Sequence, residues 1–172
     1  MATATSGYVR VVAQNVYDDE SFFEGYSKLP RSVEGLDGAP EWQVLRSMLP
    51  PLNGRKVLDL GCGFGWFCRW AMSEQASRVV GIDLSERMLD RARQGTARGM
   101  IEYRQADLDG VVLPAGLFDL VYSSLTLHYV IDLDRLLKAR AGRSVGWAPT
   151  VGPFDELDGD HESDGEDRKS VV

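Results

Sequence analysis

Hydrophobic and polar positions change their spacing near residue 56. From there, short apolar runs predict strands over 56–60, 78–83, 100–105 and 118–123. Between and after them, apolar residues recur at helical spacing over 64–73, from the capping residue Ser85 to about 94, and over 132–140. Strands that alternate with helices are typical of βαβ units. The pattern therefore predicts an α/β fold, a parallel sheet with helices on both faces.

Residues before 56 predict helices without strands. Asp18 or Asp19 could cap a short helix. The apolar residues of that helix are Phe22, Phe23 and Tyr26. The segment 28–40 is rich in glycine and proline and predicts a loop. A helix over 41–49, ended by two prolines, follows it. Its apolar positions are Trp42, Leu45, Met48 and Leu49.

The composition is that of one globular domain. The chain has 172 residues, of which 44% are hydrophobic, and no apolar run is long enough for a membrane span. The first ten residues do not resemble a secretory leader. The two cysteines, Cys62 and Cys68, match no zinc motif and suit reduced thiols. We therefore expect a cytoplasmic protein with no metal site and no membrane contact.

The net charge of −7 is concentrated at the C-terminus. From Asp155 onward eight acidic and two basic residues give −6, which leaves −1 for the rest of the chain. Proteins that bind nucleic acids need a basic surface for phosphate contacts. We therefore expect no nucleic-acid partner, and we expect the acidic segment over 141–172 to be disordered.

The stretch VLDLGCGFG over 57–65 holds the strongest candidate chemistry. Asp59 precedes three glycines at alternate positions, Gly61, Gly63 and Gly65, between a strand and a helix. Glycines at such a turn allow positive φ and close approach of a ligand to the backbone. A dinucleotide loop needs a third glycine where this chain has Trp66. Binding of a nicotinamide dinucleotide is therefore disfavoured.

The motif and three later strand ends together resemble the class I S-adenosylmethionine-dependent methyltransferases. The later segments are VVGIDLSERML over 79–89, YRQADL over 103–108 and FDLVYSSLTLHYV over 118–130. The resemblance runs from about Trp42 to Leu137, and the segment YDDESFFEGYSKLPRSVEGLDGAPEW before it matches one small-molecule branch of the family. The resemblance implies a Rossmann-like sheet, S-adenosylmethionine as cofactor and methyl transfer as the activity.

The resemblance also assigns roles to residues. Gly61 and Gly63 would let the methionine part of the cofactor lie on bare backbone, with Cys62 as a small filler between them. Asp59 would receive the ammonium group or order the loop, and Asp83 would accept from the ribose hydroxyls. The remaining predicted cofactor residues are Leu84 and Met88 beside the adenine, Asp107 and Leu108 at its amino edge, and Ser123 below the methyl-bearing sulfur. Asp109 could share the role of Asp107, and Met88 could equally be plain core.

The acceptor side is less determined. His128 is the candidate general base or substrate contact, with a structural histidine as the alternative. Tyr17, Tyr26 and Arg31 could form a lid, or the tyrosines could only pack. The chain lacks the Asn-Pro-Pro-Tyr motif of amino-group methylases after its fourth strand. A small-molecule methyl acceptor is therefore expected, and a cofactor-binding or interaction module without turnover is the alternative.

After Leu137 the sequence departs from the family pattern. Members continue into a seven-stranded sheet, whereas this chain continues without a strand-like run into its acidic segment. The expectation is a sheet truncated to strands one to four, with weak or absent catalysis. The fourth strand would then be an exposed edge through which two copies could associate. The predicted division is an N-terminal helical or lid segment over 1–52, a cofactor domain over 53–140 and a tail over 141–172.

Overall fold

The computed structural model describes residues 15–113 and 116–138. The predicted acidic segment over 141–172 and the first fourteen residues lie outside the described residues. The described part contains six α-helices and four strands, besides three short 3₁₀ turns. In chain order they are α1 Glu20–Tyr26, α2 Pro30–Val33, α3 Trp42–Met48, β1 Lys56–Leu60, α4 Trp66–Ser73, β2 Arg78–Asp83, α5 Glu86–Gln94, β3 Glu102–Gln105, β4 Leu120–Tyr122 and α6 Leu133–Lys138.

The four strands form one parallel sheet in the order β3-β2-β1-β4. The chain moves outward from β1 to β3 and then returns to place β4 on the other side of β1. Ligands of such sheets bind outside the carboxyl ends of the strands at the point where the order reverses. In this chain that point is the end of β1, where the glycine loop begins.

Apolar side chains cover both faces of the sheet. On one face, Val57 and Val79 pack with Phe67 of α4 and Leu89 of α5. On the other face, Leu58 and Val80 pack with Leu136 of α6. The predicted parallel α/β sheet with helices on both faces is confirmed. Within the described ranges β4 pairs with β1 alone, so it is an edge strand of this sheet.

Two predicted elements need correction. The segment 28–40 is not a loop: it contains α2, which begins with Pro30 at its first position, and a 3₁₀ turn over Gly35–Gly38. Proline is favoured at a helix start because its fixed φ suits the helix and its missing N–H has no partner there. Met48, predicted to pack inward from α3, is 41% exposed.

Other boundaries differ by a few residues. The helix predicted to start at 64 begins at Trp66, because the positive φ of Gly65 delays it. The third strand starts at Glu102 after a turn at Gly99, and the fourth covers only Leu120–Tyr122. Asp19 caps α1 by accepting from the N–H of Phe22. Ser85 caps α5 in the same way through the N–H of Met88, as expected.

Candidate cofactor site

A cavity of about 230 Å³ lies at the carboxyl ends of β1, β2 and β4. Its walls are the glycine loop, the β2–α5 turn, the segments after β3 and β4, and the N-terminal helices. Twelve of the predicted site residues line it: Tyr17, Tyr26, Arg31, Asp59, Gly61, Cys62, Gly63, Asp83, Leu84, Met88, Asp107 and Leu108. The sheet thus gathers residues from four separate sequence segments at one place.

The two glycines that were expected to face the ligand differ in surroundings. Gly61 has φ of +75°, and a Cβ there would lie against the Thr126 side chain. Gly63 has φ of +49°, and a Cβ there would meet nothing within 4 Å. At Gly61 the structure adds a second reason for glycine, since Thr126 occupies the space that a side chain would need; the residue lines the cavity, and its contact with the cofactor stays a prediction. Gly63 is the position where bare backbone faces open cavity.

Asp83 ends β2 and holds the glycine loop. Its Oδ2 accepts from the N–H of Gly63 at 2.8 Å, and its Oδ1 accepts from the N–H of Ser85 at 3.0 Å. Burial raises the pKa of this carboxyl, while the two N–H donors act in the opposite direction. Each carboxylate oxygen has two acceptor sites, so the carboxylate can still accept from a ligand. Asp83 is placed to accept two ligand hydroxyls while it orders the loop.

Asp59 lies in β1 and is 2% exposed. The Cys68 thiol donates to its Oδ2 at 3.2 Å. Burial raises the pKa of Asp59 from 3.8 to about 7, the Cys68 contact lowers it and the nearby Asp83 raises it further. A carboxyl in this state gains from a cation brought beside it. Asp59 can therefore receive a ligand ammonium group.

Cys62 is buried and lines the cavity, as expected of a small filler in the loop. A Cβ on Gly81 would lie 2.9 Å from the sulfurs of both Cys62 and Cys68. The two thiols thus meet over a glycine of β2. Burial raises the pKa of Cys68 above its ordinary value, so this thiol stays protonated and serves as the donor to Asp59.

The predicted adenine residues line the other end of the cavity. Met88 is 2% exposed and contributes to the cavity wall as well as to the protein interior. Asp109 accepts from the N–H groups of Ile131 and Asp132, so it orders the segment before α6. Among the described residues, the Asp107 carboxylate accepts only from the Asp109 N–H, through Oδ1 at 2.9 Å. Its second oxygen is the better acceptor for a ligand amino group.

The segment after β4 departs from expectation. Ser123 does not line the cavity, because its Oγ points inward and donates to the Leu60 carbonyl at 2.9 Å. The next residue, Ser124, lines the cavity in its place. His128 is exposed and does not line the cavity; its ring centroid lies 3.9 Å from that of Tyr129, which does. Its role as a base is untested, and its exposed position outside the cavity disfavours that role.

The N-terminal segment covers the cavity. The Tyr17 ring meets the rings of Tyr26 and Tyr129 edge-on, with centroids 5.3 and 6.4 Å apart. Asp18 fastens this segment, since its Oδ1 accepts from the Ser85 hydroxyl at 2.5 Å. Burial raises the pKa of Tyr17 and Tyr26, so both hydroxyls stay neutral. The position suits the predicted lid over the site.

Sequence reasoning missed many of the residues that line the cavity, among them Asn15, Glu41, Trp66, Ser124 and Tyr129. Asn15 and Glu41 belong to segments far from the motifs, and no local pattern marks them. Trp66 directly follows the glycine loop, and a residue in that position can be expected to line a ligand cavity. From the sequence, Trp66 was considered only as evidence against a dinucleotide.

No described helix is long and apolar enough to cross a membrane. Over 15–113 and 116–138, no group of three or more His, Cys, Asp or Glu side chains is placed to hold a metal ion.

Known proteins give four informative similarities. A family model described as a methyltransferase domain matches residues 58–142. An S-adenosylmethionine-dependent methyltransferase from Mesorhizobium loti is 52% identical with a TM-score of 0.63, over 66% of this chain and 55% of that one. The ubiquinone biosynthesis O-methyltransferase of Bordetella avium is 35% identical over 62% of this chain and 45% of its own length. The tRNA U34 carboxymethyltransferase of Shewanella sediminis is 41% identical over 69% and 39%.

The chain is shorter than these relatives. It covers between 23% and 51% of the length of the curated proteins that it matches.

Proposed function

This chain belongs, through residues 58–142, to the class I S-adenosylmethionine-dependent methyltransferase family, and we propose that it transfers a methyl group from S-adenosylmethionine to a small-molecule acceptor. The observation that carries the proposal is the joint arrangement of Gly63 and Asp83. The open face of Gly63 borders the cavity, while its N–H is bonded to a carboxylate that can still accept.

The residues present fit this cofactor at three points. Asp83 would accept from the two ribose hydroxyls, with Leu84 and Met88 on either side of the adenine. Asp107 would accept from the adenine amino group, and Leu108 would donate its backbone N–H. Asp59 would accept from the ammonium group, beside the bare backbone of Gly63. The cofactor supplies an activated methyl group on its sulfonium, so the protein mainly has to align the acceptor with it.

A small-molecule acceptor is supported by charge. Nearly all of the net charge lies from Asp155 onward, and the rest of the chain carries −1, which is poor for phosphate contacts. The relative named for ubiquinone biosynthesis also supports a small-molecule acceptor. The relative named for tRNA U34 makes RNA the alternative acceptor. Incubation with labelled cofactor and either a metabolite mixture or total tRNA separates the two. Label recovered in RNA would overturn the small-molecule proposal.

The cofactor assignment is tested by calorimetric titration with S-adenosylhomocysteine. Replacing Asp83 by Ala removes the ribose acceptor and the loop contact, and we expect at least a tenfold loss of affinity, on the order of one or two charged hydrogen bonds. The matched control is Asp90→Ala, since Asp90 is an exposed acid on α5 that does not line the cavity. Unchanged affinity in the Asp83 variant would contradict the assignment.

Cofactor binding without turnover is a second candidate, favoured by the position of His128, the predicted base, which is exposed and does not line the cavity. Titration that shows binding, together with no label transferred to any acceptor, would support it over the enzyme.

We also propose that two copies can associate through β4, which is an edge strand among the described residues. Analytical ultracentrifugation over a range of concentrations tests this, and a monomer at the highest concentration would refute it.

A further inference from the structure

Residues 15–18, which we call the strap, present an unpartnered amide oxygen in the cavity wall. Asn15 begins the strap and lines the cavity. Its Nδ2 donates to Oδ2 of Asp18 at 2.5 Å. A carboxylate only accepts hydrogen bonds, so the amide must turn its NH₂ group to Asp18 and its oxygen away. That oxygen, Oδ1, is buried and has no hydrogen-bond partner in the described part of the chain. A buried acceptor without a partner is costly, so its place in a cavity wall indicates a ligand that donates.

Asp18 fixes this amide beside the turn between β2 and α5. Its Oδ1 accepts from the Ser85 hydroxyl at 2.5 Å and from the N–H of Arg87 at 3.3 Å. Ser85 is 1% exposed and also caps α5. The other oxygen of the same carboxylate holds the Asn15 amide. Only one carboxylate group therefore separates this amide from the β2–α5 turn.

The β2–α5 turn also carries the residues assigned to the nucleoside. The N–H of Ser85 donates to Oδ1 of Asp83 at 3.0 Å, while the hydroxyl of Ser85 holds the strap. Asp83, Leu84 and Met88 line the cavity, and the proposed function assigns the ribose and the adenine to them. A donor that reaches Asn15 Oδ1 from within the cavity therefore belongs to the nucleoside part of the ligand.

The strap has contacts that do not involve the Asn15 side chain. The Tyr17 ring meets those of Tyr26 and Tyr129 edge-on, with centroids 5.3 and 6.4 Å apart. Tyr129 follows β4 in the chain, whereas the Ser85 contact of the strap follows β2. The strap is thus attached on two sides of the cavity. Removing the Asn15 amide should leave both attachments in place.

We propose that Asn15 Oδ1 accepts a hydrogen bond from the nucleoside of the bound cofactor, and that Asp18 is the positioning residue that aims it. The inference rests on the proposed function and deepens it, because it adds a residue that no motif marks. The donor is a ribose hydroxyl, which would leave the other hydroxyl to Asp83, or the adenine amino group, whose second hydrogen Asp107 leaves free.

The contact acts on binding and not on the chemical step. S-adenosylmethionine and S-adenosylhomocysteine carry the same nucleoside, so a bond to that nucleoside favours both equally. Interactions that are equal before and after methyl transfer do not lower the barrier between the two. The affinity for S-adenosylhomocysteine therefore measures the contribution of Asn15, and no methyl acceptor is needed for the test.

The test titrates four ligands by calorimetry. These are S-adenosylhomocysteine, its 2′-deoxy and 3′-deoxy analogues, and the analogue with hydrogen in place of the adenine amino group. We expect Asn15→Ala to weaken S-adenosylhomocysteine about 3- to 10-fold. One of the three analogues should weaken less than about 1.5-fold, because it already lacks the donor. The control is Asn53→Ala, since Asn53 is exposed, donates through Nδ2 to Gln75 at 2.6 Å and does not line the cavity.

A double variant tests the role of Asp18. Asp18→Ala removes the group that aims the amide, so we expect a loss for S-adenosylhomocysteine at least as large as that of Asn15→Ala. Adding Asn15→Ala to it should then cost less than about 1.5-fold more, because the two residues act through one contact. Asp37→Ala is the control, since Asp37 is exposed and does not line the cavity.

The outcomes separate the inference from the proposed function. Equal losses for all four ligands, or no loss for S-adenosylhomocysteine in Asn15→Ala, would overturn the inference and leave the proposed function standing. Losses that simply multiply in the double variant would overturn the role of Asp18. If the unmodified chain does not bind S-adenosylhomocysteine, the proposed function is refuted and the inference falls with it.

Discussion

Replacing Asp59 by Asn should change how the stability of the protein depends on pH. Asp59 is 2% exposed in β1, and the one hydrogen bond of its side chain to a described residue comes from the Cys68 thiol. Burial is the main reason that its pKa rises from 3.8 to about 7. Asparagine has nearly the same shape and can accept the same hydrogen bond, but it cannot ionise. The variant therefore isolates the effect of charging this group.

The sign follows from proton counts. Between the unfolded pKa and the folded pKa, the folded state holds a proton on Asp59 that the unfolded state has released, so stability falls as pH rises. A rise from 3.8 to about 7 is worth roughly 4 kcal/mol in total at ~1.4 kcal/mol per unit. Below the unfolded pKa the contribution is fully present, and above the folded pKa its loss is complete. Between about pH 5 and about pH 8.5 the loss is about 3 kcal/mol.

Urea unfolding followed by tryptophan fluorescence at several pH values measures this difference. The free energy of unfolding of the unmodified protein should fall relative to that of Asp59→Asn by about 3 kcal/mol across that interval. Other titrating groups are common to both proteins and cancel. Asp37→Asn is the control, because Asp37 is exposed and does not line the cavity. Parallel curves for Asp59→Asn and the unmodified protein would refute the argument that Asp59 is held partly protonated.

Three further outcomes are expected. Gly63→Ala should abolish measurable cofactor binding in calorimetry, whereas Gly54→Ala, also at positive φ with open space around it, should share only the backbone cost of about 1–2 kcal/mol. Ser123→Ala should lower the free energy of unfolding by about 1 kcal/mol in a urea titration and leave cofactor affinity unchanged, because its hydroxyl bonds the Leu60 carbonyl. His128→Ala should change the methylation rate less than about twofold, because the ring is exposed outside the cavity; a loss of ~10²-fold or more would instead establish it as the general base.

The strands and the acidic residues at their ends were predictable because their signals are local. β1 and β2 have the predicted bounds, and Asp59 and Asp83 line one cavity as the motif implied. α2 was missed because proline and glycine suggested a loop, although Pro30 in fact starts the helix. Met48 was wrongly predicted to be buried, because helical spacing does not show how much of the apolar face of α3 is covered by other elements.

Ser123 and Ser124 show most clearly which features of the site could not be predicted from the sequence. The sequence placed the end of β4 near the site, but which of two adjacent serines faces the ligand depends on how the chain leaves the strand. Leu125 has φ of +57°, and this turn carries Ser124 and Thr126 to the cavity wall. The same turn brings the Thr126 side chain against Gly61, where it leaves no room for a Cβ. A contact between residues 65 positions apart leaves no local pattern.

The sequence by itself determined the alternation of strands and helices, the glycine loop and the acids at the strand ends. These follow from side-chain periodicity and backbone preferences that act over a few residues. Only the tertiary structure decided that Arg31, Ser32, Glu41 and Trp66 form one wall of the same cavity. Their meeting depends on how the N-terminal helices pack over the sheet, and packing is a property of distant residues together.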